Sequence, residues 1–424
     1  MTLSRASALA APDSAAPGPG DEPGIVLYDL VLTGGEVLDP GQSLSGRLDV
    51  AIRNGRIAAV AASLPPHRAH RTIDVGGRLV CPGFIDFHAH VFAEYGLPAD
   101  QVGVGSGVTT LVDQGSSGIF TFPRLQAEVV ARARTDVRAF LLVNQDRPRC
   151  AEKTSEVREP SLLDAGPLVE LARQAPATVR GFKVHAESGT LSRWGMRAVA
   201  LAREAGDAAG LPLYIHTGEL FPVTEERRPH PSTVARDVLS YTRAGDVLGH
   251  CYSPQPDGLM GARASLSPWL LEALASGVLL EVGHGRNFSF AVAEAMMREG
   301  VMAHIISSDV NTGALPPDGG PLLYNLFDTL SKMVALGVPL SKAIAAVTIN
   351  PARVLRAQHE IGDLSQGSRA DITVLNSIGG QFVFHDSLGQ SRSSSLRLAP
   401  HLVIRAGCPL PHGEWQAVAR HDAR

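Results

Sequence analysis

The stretch VRGFKVHAESGTLSRWGMRAVALAREAGDAAGLPLYIHTGE, residues 179–219, contains the unit from which the fold can be predicted. A short apolar run (179–187) is followed by a helical stretch rich in alanine, leucine and arginine (195–210) and by a second apolar run (211–219). Strand, helix and strand in this order form a βαβ unit, in which the two strands are parallel neighbours. The stretch therefore predicts an α/β protein with a parallel sheet.

The same unit recurs through the middle of the chain. Eight apolar runs alternate with helical stretches, at residues 84–90, 107–115, 137–145, 179–187, 211–219, 244–252, 277–285 and 303–311. Eight such strands predict a closed (β/α)8 barrel of the TIM type. The alternative is a doubly wound open sheet, but the first strand is not followed by GxGxxG and the chain has no P-loop motif. We therefore favour the barrel.

The two ends of the chain have a different pattern. Short apolar runs broken at Gly-Gly and Asn-Gly pairs fill residues 25–81, and similar runs return near the C-terminus. Neither end has enough strands to bury a face alone, so we expect both ends to pair in one small β-sandwich domain. The predicted organisation is a disordered tail (1–24), the N-terminal part of the β-domain (25–81), the barrel (82–353), and the C-terminal part of the β-domain with its tail (354–424).

Composition excludes several classes of partner and site. The 38 basic and 42 acidic side chains give a net charge of −4, too weak a field to attract nucleic acid or an anionic membrane. The four cysteines include no CxxC pair, which excludes a disulfide framework and a zinc ribbon. No apolar run resembles a membrane span or a secretion signal. We expect a cytoplasmic protein with a small-molecule substrate; a homo-oligomer is compatible with the sequence, but no segment identifies an interface.

Polar residues gather at the predicted C-terminal ends of the strands, where barrel enzymes build their sites. His88 and His90 lie two apart on the first strand, so both side chains project to the same face. His216, His250 and Asp309 occupy equivalent positions on the fifth, sixth and eighth strands. Because 15 histidines in 424 residues would seldom place four at strand ends by chance, we prefer a metal site to ordinary strand-end histidines. Nitrogen and carboxylate donors suit Zn²⁺ or a similar divalent ion.

Lys183, near the end of the fourth strand, is harder to interpret. A charged ammonium has no lone pair for a metal, but burial beside cations would lower its pKa and free the amine. The amine could then form a Schiff base, or react with CO₂ to give a carbamate that bridges two ions. A salt bridge to Glu187 is equally compatible with the sequence.

Several strings in the chain resemble the amidohydrolase superfamily, and within it the dihydroorotase-like amidohydrolase/deacetylase branch. The strings are PGFIDFHAH (82–90), GFKVHAESG (181–189), YIHTGE (214–219), LGHCYSP (248–254), SSDVNTG (307–313) and TINPARVLRAQHEIGDLSQGSRADITVL (348–375). The resemblance spans nearly the whole chain after the tail. It implies a barrel with a β-domain split between the two chain ends.

The resemblance also implies a binuclear site. Its ligands would be His88, His90, Lys183, His216, His250 and Asp309. The first two histidines and the aspartate would bind the more buried ion, the later histidines the more exposed one, and the lysine, as N6-carboxylysine, would bridge both. The two divalent ions, expected to be Zn²⁺, would share a hydroxide that attacks a carbonyl carbon. Asp309 would be both ligand and catalytic residue, moving a proton to the leaving group.

The implied reaction is hydrolysis of an amide or ester acyl bond, of the deacetylase type, in an N-acyl amino acid or an acetylated hydroxy acid. Ring opening of a cyclic amide, imide or ureide, as in dihydroorotases and hydantoinases, uses the same ligands and stays open. A metal-free structural relative is disfavoured because all six ligand positions are filled.

Substrate contacts are expected in the string GHGRNFSF (283–290), after the seventh strand. His284 and Arg286 are predicted to bind a carboxylate or a carbonyl oxygen, because a guanidinium suits bidentate carboxylate binding. In the alternative interpretation, Arg286 pairs with an acid such as Glu281. Further candidate substrate contacts are Tyr252, His185 and Asn287.

Overall fold

The computed structural model describes residues 27–143, 164–220, 236–260 and 265–410; the predicted disordered tail (1–24) and Cys150 lie outside them. The strands are β1 (Tyr28–Asp39), β2 (Leu44–Arg53), β3 (Arg56–Ala61), β4 (Ala69–Asp74), β5 (Leu79–Pro82), β6 (Phe84–Ala89), β7 (Val108–Gly118), β8 (Asp136–Leu142), β9 (Val179–His185), β10 (Leu213–His216), β11 (Val247–Gly249), β12 (Leu279–Leu280), β13 (Ile372–His385), β14 (Ser391–Arg405) and β15 (Cys408–Leu410). The helices are α1 (Ala99–Val102), α2 (Phe122–Leu125), α3 (Ala165–Gln174), α4 (Ser188–Trp194), α5 (Arg197–Ala209), α6 (Pro268–Ala275), α7 (Phe290–Arg298), α8 (Leu326–Ala335), α9 (Leu340–Ala345) and α10 (Ile349–Val354).

Parallel strands in the middle of the chain form the predicted barrel. β6 to β12 lie side by side in chain order. The eighth predicted strand (303–311) is reduced to two single bridges, from Ile305 to Glu281 and from Val310 to Ala89 of β6. It is irregular because Ser308 donates its backbone N–H to the Asp86 carboxylate, 3.0 Å away, and not to a strand. Since the two bridges join both edges of the sheet, the barrel is closed.

Strands from both ends of the chain share the second sheet. Its order is β15-β14-β13-β5-β1-β2-β3, with β4 beside β1. The joining strand is β5, which pairs parallel with β1 and antiparallel with β13. The predicted fold class, a TIM-type barrel with a β-domain built from both chain ends, is therefore confirmed. The exact residues at which we divided the domains stay predictions.

The hairpin formed by β13 and β14 extends from this sheet to the barrel. At its tip, Ser387 donates its backbone N–H to the Phe288 carbonyl oxygen at 3.0 Å. Asp386 accepts the backbone N–H of Phe290, also at 3.0 Å. The loop that follows β12 is therefore held by the β-domain.

Two further expectations concern thiols and membranes. Cys81, Cys251 and Cys408 carry free thiols, as the lack of a CxxC pair predicted. Among the described residues, the helices are all too short or too polar to cross a membrane.

An ion-pair network joins the start of β8 to the segment that leads into β13. The guanidinium of Arg369 lies 2.6 Å from Asp136. It also contacts Glu360 and Asp371, at 2.6 and 2.7 Å. Burial alone would raise the pKa of Asp136, but the guanidinium groups of Arg138 and Arg369 lower it to about 2. The network therefore stabilises the ionised carboxylate in the folded state.

We expect the free energy of unfolding to depend on this carboxylate. Because its pKa falls from 3.8 to about 2 on folding, its contribution is fully present above pH 3.8 and is lost as the pH falls through 2. The shift corresponds to about 2 kcal/mol. Urea denaturation should show Asp136→Asn destabilised by that amount at pH 7, with a smaller decline between pH 4 and pH 2. Asp318→Asn, in an exposed loop, is the control; a wild-type pH profile in both variants would contradict the assignment.

Candidate metal centre

All six predicted metal ligands lie together at the C-terminal end of the barrel. Each residue is buried, with exposed fractions from 0% for His88 to 6% for Asp309. The imidazole rings are close neighbours: the centroids of His88 and His250 are 5.1 Å apart, and those of His216 and His250 are 4.4 Å apart. The strand-end positions thus converge as the sequence predicted.

Asp309 brings an oxygen to two of these rings. Its Oδ1 lies 3.3 Å from Nε2 of both His88 and His90. These three donor atoms face one another closely enough to hold one metal ion. The backbone of Asp309 has a φ of 52° and donates its N–H to the His88 carbonyl oxygen at 2.8 Å. A side chain at Gly285 would overlap Asp309 Oδ2, so glycine is required there.

Each of the four histidines uses one ring nitrogen for a hydrogen bond within the protein. The bonds join His88 Nδ1 to the Tyr214 hydroxyl (2.8 Å), His90 Nδ1 to Ser116 Oγ (2.8 Å), His216 Nε2 to the Gly218 carbonyl oxygen (3.2 Å), and His250 Nδ1 to the Gly283 carbonyl oxygen (2.7 Å). Metal-binding histidines typically have such an outer bond, which fixes the tautomer and leaves the other nitrogen for the ion. The donor set therefore fits a divalent metal.

The electrostatics of the site favour neutral imidazoles. Burial, followed by the charge of Lys183, holds the pKa of His88 well below its usual range. Burial also lowers the pKa of His250 to about 4, although Asp309 opposes the shift. Neutral imidazole is the form that binds metal.

Lys183 points into the same cluster. Its Nζ donates to the Gln114 carbonyl oxygen at 2.8 Å and lies 3.4 Å from His88 Nε2. The chain passes the lysine closely at Gly115, where a Cβ would lie 2.7 Å from Lys183 Cδ. Burial lowers the pKa of Lys183 to about 8, against the attraction of Asp309. Glu187, the predicted alternative partner, caps helix α4 through the N–H groups of residues 189 and 190.

Two buried residues behind His88 were not predicted. The Tyr214 hydroxyl donates to Glu281 Oε2 at 2.9 Å and accepts from His88 Nδ1. With its hydroxyl proton directed at the glutamate, Tyr214 keeps the proton of His88 on Nδ1 and the lone pair on Nε2. Burial raises the pKa of Glu281 to about 8. One signal was available: Tyr214 precedes His216 by two residues, so the two side chains share a face of β10.

The predicted substrate contact Arg286 lies exposed at the mouth of the barrel. Burial and the charge of Asp309 raise the pKa values of Tyr95 and Tyr324, and the guanidinium of Arg286 acts in the opposite direction on both. The Tyr324 hydroxyl and a guanidinium nitrogen of Arg286 lie 3.6 and 3.7 Å from the point that a Cβ on Gly313 would occupy, so these two side chains are neighbours. Within the described residues, Arg286 forms no salt bridge, and Glu281, its predicted alternative partner, bonds to Tyr214.

His185 also faces the ligand cluster. Its ring stacks on that of His216, with the centroids 4.8 Å apart. Its Nδ1 is buried and has no hydrogen-bond partner in the part of the chain that the structure describes. An unpartnered buried nitrogen beside a metal ligand leaves a polar atom available to a substrate or to water.

The structure corrects two predicted substrate contacts. Tyr252 is fully buried, and its hydroxyl accepts the backbone N–H of Ala303 at 2.9 Å. The prediction failed because His250 has a φ of 59°, which breaks the alternation of side chains after β11. His284 has both ring nitrogens in internal bonds, with the Gly285 carbonyl oxygen and Lys332 Nζ. A third candidate, Asn287, is buried and bonds weakly to Ser253 Oγ at 3.4 Å.

The chain is similar in sequence to known proteins. Residues 273–403 match the sequence profile of the amidohydrolase family. A deacetylase of Agrobacterium fabrum is 28% identical over 83% of this chain and 84% of its own. A deacetylase of Enterococcus faecalis is 29% identical, over 90% of this chain and 98% of its own.

Solved structures are also similar. The crystal structure of an adenine deaminase has a TM-score of 0.79 at 26% identity, covering 91% of this chain and 100% of that one. A dihydroorotase has a TM-score of 0.76 at 25% identity, covering 90% and 99%. The likeness therefore includes both the barrel and the β-domain.

The Tyr214 hydroxyl can be tested by Tyr214→Phe, which removes the bond to His88 Nδ1. Loss of such an outer-shell partner typically weakens metal binding by about ten- to hundredfold. We expect that decrease in zinc affinity, measured by competition with a chromophoric chelator. Tyr252→Phe is the matched control, since this equally buried hydroxyl bonds to Ala303. Equal zinc affinity in the two variants would show that Tyr214 does not support the ligand.

Proposed function

We propose that the chain is a member of the amidohydrolase superfamily and a metal-dependent hydrolase of the deacetylase type that cleaves the acyl bond of a small carboxylate. The substrate class is an N-acyl amino acid or an acetylated hydroxy acid. The observation that carries this proposal is the position of Arg286, a guanidinium without a salt bridge among the described residues, directly after the glycine that contacts Asp309. The names of the deacetylase relatives support the same reaction.

The proposed metal ligands are the six residues of the cluster. His88, His90 and Asp309 would hold one divalent ion, and His216 and His250 the other. Lys183, as N6-carboxylysine, would contact both, because its Nζ already lies beside His88 Nε2. Bound divalent ions, for which Zn²⁺ is our expectation, polarise a carbonyl oxygen and lower the pKa of coordinated water.

The protein's own side chains bind the substrate and move the proton. The Arg286 guanidinium would bind the substrate carboxylate through two parallel hydrogen bonds. The hydroxyl of Tyr324, which lies near this guanidinium, and that of Tyr95 would be further donors to the same group. His185 Nδ1 would meet a polar atom of the substrate. Asp309 would take a proton from the attacking water and deliver it to the leaving nitrogen or oxygen.

A second candidate is hydrolysis of a cyclic amide, imide or ureide. The likeness to a dihydroorotase over nearly all of that protein supports it. The same ligands and the same proton transfer by Asp309 would serve, so the two reactions differ only in what the outer pocket accepts.

Substrate class can be tested by a panel of N-acetyl amino acids, acetylated hydroxy acids, hydantoins and dihydroorotate. We expect turnover of acylated carboxylates, and for Arg286→Met a KM higher by about ten- to hundredfold, because a charge-assisted bidentate contact is lost. Arg132→Met, at an exposed position away from the cluster, should keep the wild-type KM. Turnover of cyclic compounds alone would favour the second candidate. An unchanged KM in Arg286→Met would show that Arg286 does not bind the substrate carboxylate.

The ligands can be tested through metal content, by mass spectrometry of protein purified without chelators. We expect nearly two equivalents in the wild type and a loss of metal in His88→Ala and His216→Ala.

Asp309→Asn should fold normally but lose about a thousandfold or more in kcat, because the proton carrier is removed. Lys183→Ala should be inactive and partly rescued by short carboxylic acids. Near-normal rates in these variants would contradict the site.

A further inference from the structure

We propose that Lys332 is a positioning residue of this pocket: its ammonium orients His284 and thereby holds the loop 283–290, which carries Arg286, against the metal ligands. The inference extends the proposed function, because its effect on catalysis is expected through substrate binding by Arg286. Lys332 is distant from the ligands in sequence and is not one of them.

Lys332 is buried in helix α8 with two polar partners. Only 3% of the residue is exposed. Its Nζ lies 2.7 Å from Asp328 Oδ2, one helical turn earlier, and 2.8 Å from His284 Nε2. A buried ammonium requires such partners, because desolvation of an unpaired charge is strongly unfavourable. Asp328 balances the charge of the ammonium and holds it in place, and His284 accepts one of its protons.

His284 is held in one orientation and one tautomer. Its Nδ1–H donates to the Gly285 carbonyl oxygen at 3.0 Å, so Nε2 is the acceptor for Lys332. The ring lies between Phe288, with centroids 4.9 Å apart, and Tyr324, with centroids 5.3 Å apart, in a nearly parallel stack. Burial and the ammonium of Lys332 keep the pKa of His284 well below its usual range. The imidazole is therefore a neutral connector between helix α8 and the loop.

The backbone on either side of His284 touches the metal centre. The Gly283 carbonyl oxygen accepts from His250 Nδ1 at 2.7 Å, and Gly285 packs against Asp309. Both glycines have a positive φ, 47° and 37°, which side-chain-bearing residues rarely adopt. The bond from Lys332 to His284 therefore anchors the loop between two backbone positions that contact candidate ligands, and the second of these positions precedes Arg286.

The folding of the loop does not depend on Lys332 alone. Phe288 and Phe290 are bound by the hairpin tip through Ser387 and Asp386. Loss of the ammonium should therefore loosen the ring and Arg286 while the loop stays folded. A positioning role of Lys332 would therefore change KM, whereas a purely structural role would change only the stability of the protein.

The test compares Lys332→Met with Lys342→Met, an exposed lysine on α9. For an N-acetyl amino acid substrate, Lys332→Met should raise KM about tenfold with kcat little changed, because Arg286 would no longer be held in its binding position. Ring ¹⁵N NMR of histidine-labelled protein should show His284 protonated at Nδ1 in the wild type and as a tautomer mixture in Lys332→Met. Lys342→Met should match the wild type in both measurements.

A lower melting temperature in Lys332→Met with unchanged KM and an unchanged His284 spectrum would overturn the inference. If this variant does not fold, Asp328→Asn, which removes the charge that orients Lys332, should raise KM about threefold, and wild-type values there would likewise overturn it. If the wild-type protein hydrolyses no acylated carboxylate, the proposed function fails, but the His284 spectrum still decides the role of Lys332. An altered tautomer supports that role, and an unaltered one rejects it.

Discussion

The burial of several metal-ligand candidates in one small space constrains the rest of the structure. Four imidazoles cannot all be protonated there, because burial disfavours the charged form and the positive charges would repel one another. One hydrogen bond to a neighbouring protein group therefore fixes the tautomer of each ring. Tyr214 and Glu281 provide the bond for His88, and a backbone carbonyl provides it for His250. The strands place the imidazoles, and these hydrogen bonds determine which ring nitrogen keeps its lone pair.

The loop after β12 serves both parts of the site. Its glycines approach Asp309 and His250 more closely than any side-chain-bearing residue could. Its single arginine reaches the mouth, where a substrate would arrive. Three separate parts of the fold hold it: the eighth strand through backbone bonds, α8 through Lys332, and the β13–β14 hairpin through Ser387. The candidate metal ligands and the proposed substrate pocket are thus joined by one short segment.

The sequence was sufficient for the features that follow a local period. Alternating apolar runs predicted the barrel, and two-residue spacing put His88 and His90 on one face. Local periodicity failed where the backbone leaves the strand: a positive φ at His250 turned Tyr252 into the core. Tyr214 was missed because a tyrosine in a buried strand looks like any core residue. The partner of His284 could not be found, since Lys332 lies 48 residues away and only the fold brings them together.

The hairpin tip has a consequence for how such a protein can change over time. Residues 386–390 follow β13 in the β-domain, and three hydrogen bonds connect them to the segment bearing Arg286. Substitutions or length changes there can shift the pocket mouth while the catalytic core keeps its geometry. Under the proposed function, the β-domain would therefore allow substrate preference to diverge while the candidate metal ligands stay in place. Exchanging residues 386–390 between related chains would alter the pocket mouth without altering the barrel strands.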